Sequence, residues 1–257
     1  MKNKWYLSVI AFLSILVIVL TSSLYRSNKK LKNEKSSCAK EMFDLATESP
    51  EVSLRLYQLM KDVDMVFRKH NIEYWADGGT ILGAVRHGGI IPYDDDLDIE
   101  IDSKDIVRLE PVLIDLEKLG YKISKNRTDW VQVFSYDKCS NRENHIDILS
   151  ITFNGQHATF TNNDAVKLFG MKRTFNKSEI FPIKQYKFGD IFISGPSEPI
   201  SYLEGYYSKD VLQKGCIWPK HSNPSIKQGR CLNLEGEMLE PLKPTGPLID
   251  NSKIDQN

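Results

Sequence analysis

The sequence predicts an α+β protein, a mixed sheet flanked by helices and preceded by a single transmembrane helix. Three observations carry this. An uncharged run from Leu7 to Leu24 opens the chain, apolar residues recur at three-four spacing from Val52 to Phe67, and short apolar runs bounded by turn residues follow. The chain has 257 residues, 26% of them charged, and a formal net charge of zero. That balance excludes a broad nucleic-acid surface, so contact with a polyanion has to come from a local site.

Each element follows from its residues. Trp5–Tyr25, as a helix, rises roughly 30 Å, the depth of a bilayer core, with aromatic residues at both ends. Residues 1–25 therefore predict a cytosolic tip and a membrane anchor through residues 5–25; a signal peptide cleaved at Thr21-Ser22-Ser23 is the alternative. The basic residues Arg26, Lys29, Lys30, Lys32 and Lys35 follow the span and lean toward a cytosolic domain. The acceptor tripeptides Asn126-Arg127-Thr128 and Asn176-Lys177-Ser178, with four cysteines, lean the other way. Residues 26–48 are basic and polar and predict a stalk.

A domain over residues 49–215 follows. Ser49 and Pro50 open a packing helix to Lys69. Ile72–Ala76 is a short strand leading to Asp77-Gly78-Gly79-Thr80, and Thr80–Val85 is helical. Ile90–Ile101 returns as a strand, and Ser103 caps a helix over 104–119. Strands are expected at 121–124, 131–136 and 145–153, with a turn at Asp137–Asn144 that holds Cys139. Residues 154–176 read as loop, 180–193 as a hairpin turning at Gly189-Asp190, and Pro199 opens a short helix. Residues 216–257 form an extension, largely a mobile tail from Glu235 onward. Cys216 and Cys231 are the pair expected to form a disulfide. A zinc site from Cys216, His221 and Cys231 lacks a CxxC pair and a fourth ligand.

The chemistry concentrates between Tyr74 and Ile101. The period of two along a strand puts Asp94, Asp96 and Asp98 on one face and Leu97 and Ile99 on the other. Crowded carboxylates repel and raise one another's pKa unless a cation sits among them, so the patch calls for a divalent ion, Mg2+ or Mn2+. Before it, Gly78, Gly79 and Thr80 start a helix where a phosphate can approach the backbone; a tight turn is the plainer reading. After it, Asp147 is an acid with apolar neighbours inside a strand. A calcium loop from Asp94 fails, because Ile99 and Asp105 stand where glycine and glutamate are needed. No P-loop pattern is present. A metal-dependent glycosyltransferase with an Asp-x-Asp turn remains an alternative.

Glycine turn, Asp-x-Asp strand and later single acid, in that order, resemble the nucleotidyltransferase fold. Within it, WADGGTILGAVRHGGIIPYDDDLDIEI is similar to the defining motif of the LicD family, which includes bacterial phosphocholine transferases, fukutin and fukutin-related protein. The segment IFPIKQYKFGDIFISGPSEPISYLEGYY resembles that family's closing pattern, although Tyr207-Ser208-Lys209-Asp210 replaces its usual Gly-x-x-Trp. The resemblance implies transfer of phosphocholine or an alditol phosphate from a CDP-linked donor to a glycan or glycolipid hydroxyl. Asp96 and Asp98 would then be the main metal ligands, with Asp94 as a third ligand or support. Gly78, Gly79, Thr80 and Arg86 would hold the donor diphosphate, and Asp147 would serve as base or further ligand. His87 and His145 fit smaller roles. A catalytically silent binding domain of the secretory pathway is the remaining alternative. With the resemblance added, the expectation is a single-pass type II protein whose domain is lumenal, in the Golgi or secretory pathway, or otherwise extracytosolic.

Overall fold

The computed structural model describes residues 2–127, 130–136, 143–161, 175–205, 207–217 and 230–252. The chain forms two units, Met1–Leu45 and Ala46–Asn257. The expected turn around Cys139, His221 and Thr128 of the first acceptor tripeptide lie outside the described residues.

The first unit is helix α1, Lys2–Ala46, an unbroken run of 45 residues. The sequence predicts an anchor and then a stalk, but no glycine or proline interrupts the run. The hydroxyls of Thr21 and Ser22 donate back to carbonyls of the preceding turn, so these polar residues do not break it either. Among the described residues no helix is long and apolar enough to cross a membrane. This overturns the expected single transmembrane helix. The side chains of residues 2–16 lie outside the described ones, and the described part of the apolar run is Val17–Leu24. Tyr25, Arg26, Lys29 and Lys30 follow it, all exposed. The single-pass type II placement falls with the anchor.

In the second unit α2, Pro50–Lys69, is set by Ser49, whose hydroxyl accepts from the Val52 N–H, and by proline in the first turn. Leu56, Leu59, Met60, Val63 and Phe67 are fully buried along one stripe. Asn71, at φ 53°, turns the chain into β1, Tyr74–Ala76. Helix α3, Gly78–Arg86, follows, then β2, Asp96–Asp102. A 3-10 turn over Ser103–Arg108 is capped by Asp102 rather than Ser103 and leads into α4, Leu109–Lys118. The strands β3, Lys122–Arg127, β4, Trp130–Tyr136, and β5, Glu143–Asn154, complete the central sheet in the order β1-β2-β5-β4-β3. Only β2 and β5 run parallel there, so the sheet is mixed, and α2 and α4 lie against it.

Residues 157–176, expected as loop, hold β6, His157–Phe160, and β7, Phe175–Asn176, both added to this sheet. A capping box between Asn176 and Glu179 starts the one-turn helix α5, Lys177–Ile180. The hairpin of β8, Lys184–Phe188, and β9, Ile191–Gly195, turns at Gly189, where φ is +62° and Tyr57 leaves no room for a side chain. Helix α6, Pro199–Glu204, then precedes β10, Lys214–Ile217, and β11, Arg230–Asn233. A disulfide joins Cys216 and Cys231, which face each other across these two strands, and this removes both thiols from any zinc site.

The segment after Glu235 departs from the expected mobile tail. Leu242 donates its N–H to the Ile90 carbonyl at 2.9 Å and accepts from the Ser53 hydroxyl at 3.0 Å. Further on, Gln58 and Ile249 exchange two hydrogen bonds, and Asn251 donates to Asp62 at 2.8 Å. Such backbone anchoring leaves no apolar period to read in the sequence.

Side-chain parity gives the sheet two different faces. Leu97, Ile99, Ile101, Val131, Val133, Ile146 and Ile148 share one face and are all buried. Asp96, Asp98, Glu100, His145, Asp147 and Leu149 share the other. On that second face Glu100 is covered. The Trp75 indole N–H and the Tyr202 hydroxyl of α6 both donate to its Oε2, and Trp75 and Phe153 both stand against Phe181. The half-buried carboxylates of Asp96 and Asp98 lie where this cover ends.

Candidate active site

The acids are brought together by two short-range devices and one long-range pairing. Along β2, Asp96 and Asp98 alternate with Leu97 and Ile99, as the period of two requires. Across the parallel pair, Asp98 stands directly beside Asp147, and Asp96 beside His145. The third device differs from the sequence expectation. Asp94 is not on a strand, because Pro92 and Tyr93 form a turn in which the Asp94 N–H donates to the Ile91 carbonyl at 3.0 Å. The turn brings oxygens of Asp94, Asp95 and Asp96 within 4.8 Å of one another. Asp95, absent from the expected set, thus joins the cluster.

Gly78 and Gly79 lie directly under these acids. A Cβ added to Gly78 would stand 2.9 Å from Asp98 Oδ2, and one added to Gly79 would collide with Asp94 Oδ2. The missing side chains therefore make room for carboxylates as well as for any ligand. Thr80 fixes the same corner, its hydroxyl accepting from the Asp98 N–H at 2.7 Å. The Tyr202 hydroxyl lies 2.8 Å from both Asp77, just before the glycines, and Glu100, so its single proton is shared between the two carboxylates. Asn144 holds the turn from the other side, donating to the Asp95 carbonyl at 3.0 Å and accepting from Arg55 at 2.9 Å.

The electrostatics are those of crowded carboxylates. Burial, then Asp96 and Asp95, push the Asp94 carboxyl well above the usual carboxylate range, and Arg86 offsets this only in part. Burial, then Asp96, Asp147, Asp77 and Asp94, do the same to Asp98. His145 stands 3.6 Å from Asp147 and 4.0 Å from Asp96. Burial works against its charge, but the Asp147 and Asp96 carboxylates prevail and raise its pKa. Asp147 is oriented by Trp130, whose indole N–H donates to Oδ1 at 2.8 Å.

Oxygen donors alone, several to a recess and mutually repelling, fit a hard divalent cation such as Mg2+ or Mn2+. Arg86, expected at the donor phosphates, is committed elsewhere. It donates to the carbonyls of Val211 and Lys214 at 2.8 and 2.7 Å and to the Tyr93 hydroxyl at 3.1 Å. His87 also serves structure. Its Nδ1 accepts from Arg86, its Nε2 donates to the Met238 carbonyl, and burial lowers its pKa to about 3. Trp130, Asn144 and Tyr202 carry no sequence signal for their positions, since each reaches the acids only through distant strand or helix placement.

Comparison with known proteins agrees with this arrangement. Residues 71–198, which include the glycine turn and every acid of the cluster, match the LicD/FKTN/FKRP nucleotidyltransferase domain. The uncharacterized protein RP689 of Rickettsia prowazekii is 37% identical over 211 residues, covering 80% of this chain and 75% of that protein. The ribitol 5-phosphate transferase FKRP of Mus musculus is 24% identical over 184 residues, covering 69% of this chain and 35% of that protein. The lipopolysaccharide cholinephosphotransferase LicD of Haemophilus influenzae is 52% identical over 31 residues, 12% of each chain. The chain thus spans about a third of the mouse transferase, and both named relatives are transferases of phosphate-bearing groups. By domain match and by similarity, the chain belongs to the LicD/FKTN/FKRP nucleotidyltransferase family.

Proposed function

We propose that the chain transfers a phosphorylated alcohol, phosphocholine or an alditol phosphate, from a CDP-linked donor to a glycan or glycolipid hydroxyl. One observation carries the reading: Asp147 stands in register beside Asp98, at the edge of an acid cluster seated on a glycine turn. Asp94, Asp96 and Asp98 would hold a divalent cation, with Asp95 close enough to share the task. Bound there, Mg2+ or Mn2+ supplies neutralising charge for the phosphate oxygens.

The remaining work falls to the chain's own groups. The Gly78–Thr80 corner keeps the backbone low and positions the diphosphate at the start of α3. Asp147 takes the proton of the acceptor hydroxyl, and Trp130 holds its carboxyl in place. The acceptor oxygen forms its bond to the phosphorus that carries the alcohol. The bond from that phosphorus to the bridging oxygen breaks, and cytidine monophosphate leaves with the electron pair. Low identity to the named transferases keeps the transferred group within this class rather than fixing it.

A donor screen with and without chelator tests the reading. The full chain is incubated with CDP-choline, CDP-ribitol and CDP-glycerol, and with nucleotide sugars as the contrasting class. Release of cytidine monophosphate that chelator abolishes is the expected result. Turnover of nucleotide sugars alone would assign the glycosyltransferase alternative, and no turnover or metal-dependent nucleotide binding would assign a silent domain.

A further inference from the structure

Helix α3 starts at an aspartate that does not do what an aspartate at that position ordinarily does. Asp77 is the N-cap, with extended backbone at φ −122° and ψ 172°, the conformation from which the side chain accepts from an N–H of the first turn. Two other helical starts in the chain show the ordinary case: Ser49 accepts from the Val52 N–H and Asp102 from the Lys104 N–H. The Asp77 side chain makes no such bond. Its backbone carbonyl takes the N–H groups of Thr80 and Ile81 at 3.0 and 3.2 Å, while its carboxyl turns from the helix to the Tyr202 hydroxyl, 2.8 Å from Oδ1. Gly79 carries the N–H that such a cap would engage, and the geometry of a first turn gives it no intrahelical acceptor.

What draws the carboxyl away is itself held firmly. Tyr202 is fully buried, and its ring stacks on Phe175 with centroids 4.4 Å apart and planes 16° from parallel. The same hydroxyl lies 2.8 Å from Glu100 Oε2, which the Trp75 indole N–H reaches at 2.6 Å. A ring packed on one side and a hydroxyl held between two carboxyls leave Tyr202 one position, and that position sets where the Asp77 carboxyl lies. The choice matters to an anion. A carboxylate on the first turn of α3 would occupy the Gly79 N–H and put negative charge on the positive end of the helix, where it competes directly with a phosphate. Asp77 is also near enough to the acid recess to be among the charges that raise the Asp98 pKa, so its placement is felt there.

We propose that Tyr202 is a positioning residue that holds the Asp77 carboxyl off the N-terminus of α3, so that the Gly79 N–H stays available to a diphosphate. The proposal rests on the donor side assigned above. Its test is a double-mutant cycle in the full chain, with Tyr202→Phe, which keeps the stacked ring and removes the hydroxyl, and Asp77→Ala, which removes the competing carboxyl. Affinities for CDP-choline and for inorganic pyrophosphate are measured by calorimetry with Mg2+ present. Tyr202→Phe alone is expected to weaken both ligands about fivefold, the weight of one helix cap. In the Asp77→Ala background the same substitution is expected to change neither affinity by more than about twofold, because nothing is left to be held away. An equal loss in both backgrounds overturns the proposal and makes Tyr202 a packing residue, and no loss in either overturns it as well. If Tyr202→Phe alone does not fold, the Asp77→Ala background decides: a loss of about fivefold or more on adding Tyr202→Phe overturns the proposal, and an unchanged affinity supports it. A parent chain that binds neither ligand overturns this proposal and the donor reading together. A chain that binds pyrophosphate and gives the expected cycle, yet releases no cytidine monophosphate, keeps the positioning role and loses only the transfer reading.

Discussion

Two groups of acids in this molecule meet opposite fates. Asp115 on α4 is surrounded by donors: Lys118 reaches one oxygen at 2.9 Å, and Lys69 and His70 reach the other at 3.0 and 2.8 Å. Hydrogen bonds from Lys118 and then His70 hold its carboxyl well below the usual carboxylate range. Burial, and then neighbouring carboxylates, push Asp94 and Asp98 well above it. Among the described residues no lysine or arginine forms an ion pair with either. The difference separates an acid that ties α2 to α4 from acids crowded by one another, a crowding that the proposed cation would relieve.

The contrast is broken most severely by exchanging charge at the site. Asp98→Asn is expected to lower chelator-sensitive release of cytidine monophosphate at least about a hundredfold. In chelator the same variant should melt higher than the parent, because one member of a repelling group is gone; a lower melting point would sink the account of the recess. Metal addition should then raise the melting point of the parent with ion concentration and leave Asp98→Asn nearly unmoved.

Asp115→Asn should do the reverse. It leaves two lysines without their counter-charge and costs about 1–3 kcal/mol of stability in denaturant titration, with donor turnover intact per folded molecule. A neutral result would mean that these ion pairs are solvated rather than structural.

The smallest expected effect concerns pH. His87 has a folded pKa lowered from 6.5 to about 3 by burial and by the neighbouring Arg86 charge. Between those values the unfolded chain binds a proton that the folded chain refuses, so stability declines as pH falls from about 6.5 toward about 3. His87→Asn retains an acceptor for Arg86 and removes the titration. Urea midpoints at pH 7 and 5 should differ less for this variant than for the parent, and an unchanged difference would exclude His87 as a source.

Much of the fold is legible in local pattern. Ser49-Pro50 and the apolar spacing behind it mark α2 to the residue, and alternation around Asp147 gives the parity of β5. The adjacency of Asp98 and Asp147 also needed the parallel pairing of β2 with β5, which no local pattern gives. Pro92-Tyr93 breaks the alternation that would have carried Asp94 on the strand. Arg86 looked free because its acceptors, the carbonyls of Val211 and Lys214, are distant backbone atoms with no residue signature. Hydrogen bonds to backbone likewise hid the anchoring of Leu242 and Ile249 on α2.

The parity of β5 also acts as a check on assembly. The register that points Asp147 at Asp98 sends Ile146 and Ile148 to the buried face. A slip of one residue against β2 would drive the acid into the core and turn both isoleucines outward. A misplaced acid and a misfolded core are therefore the same event, and the hydrophobic effect proofreads the Asp98–Asp147 pair as the sheet forms.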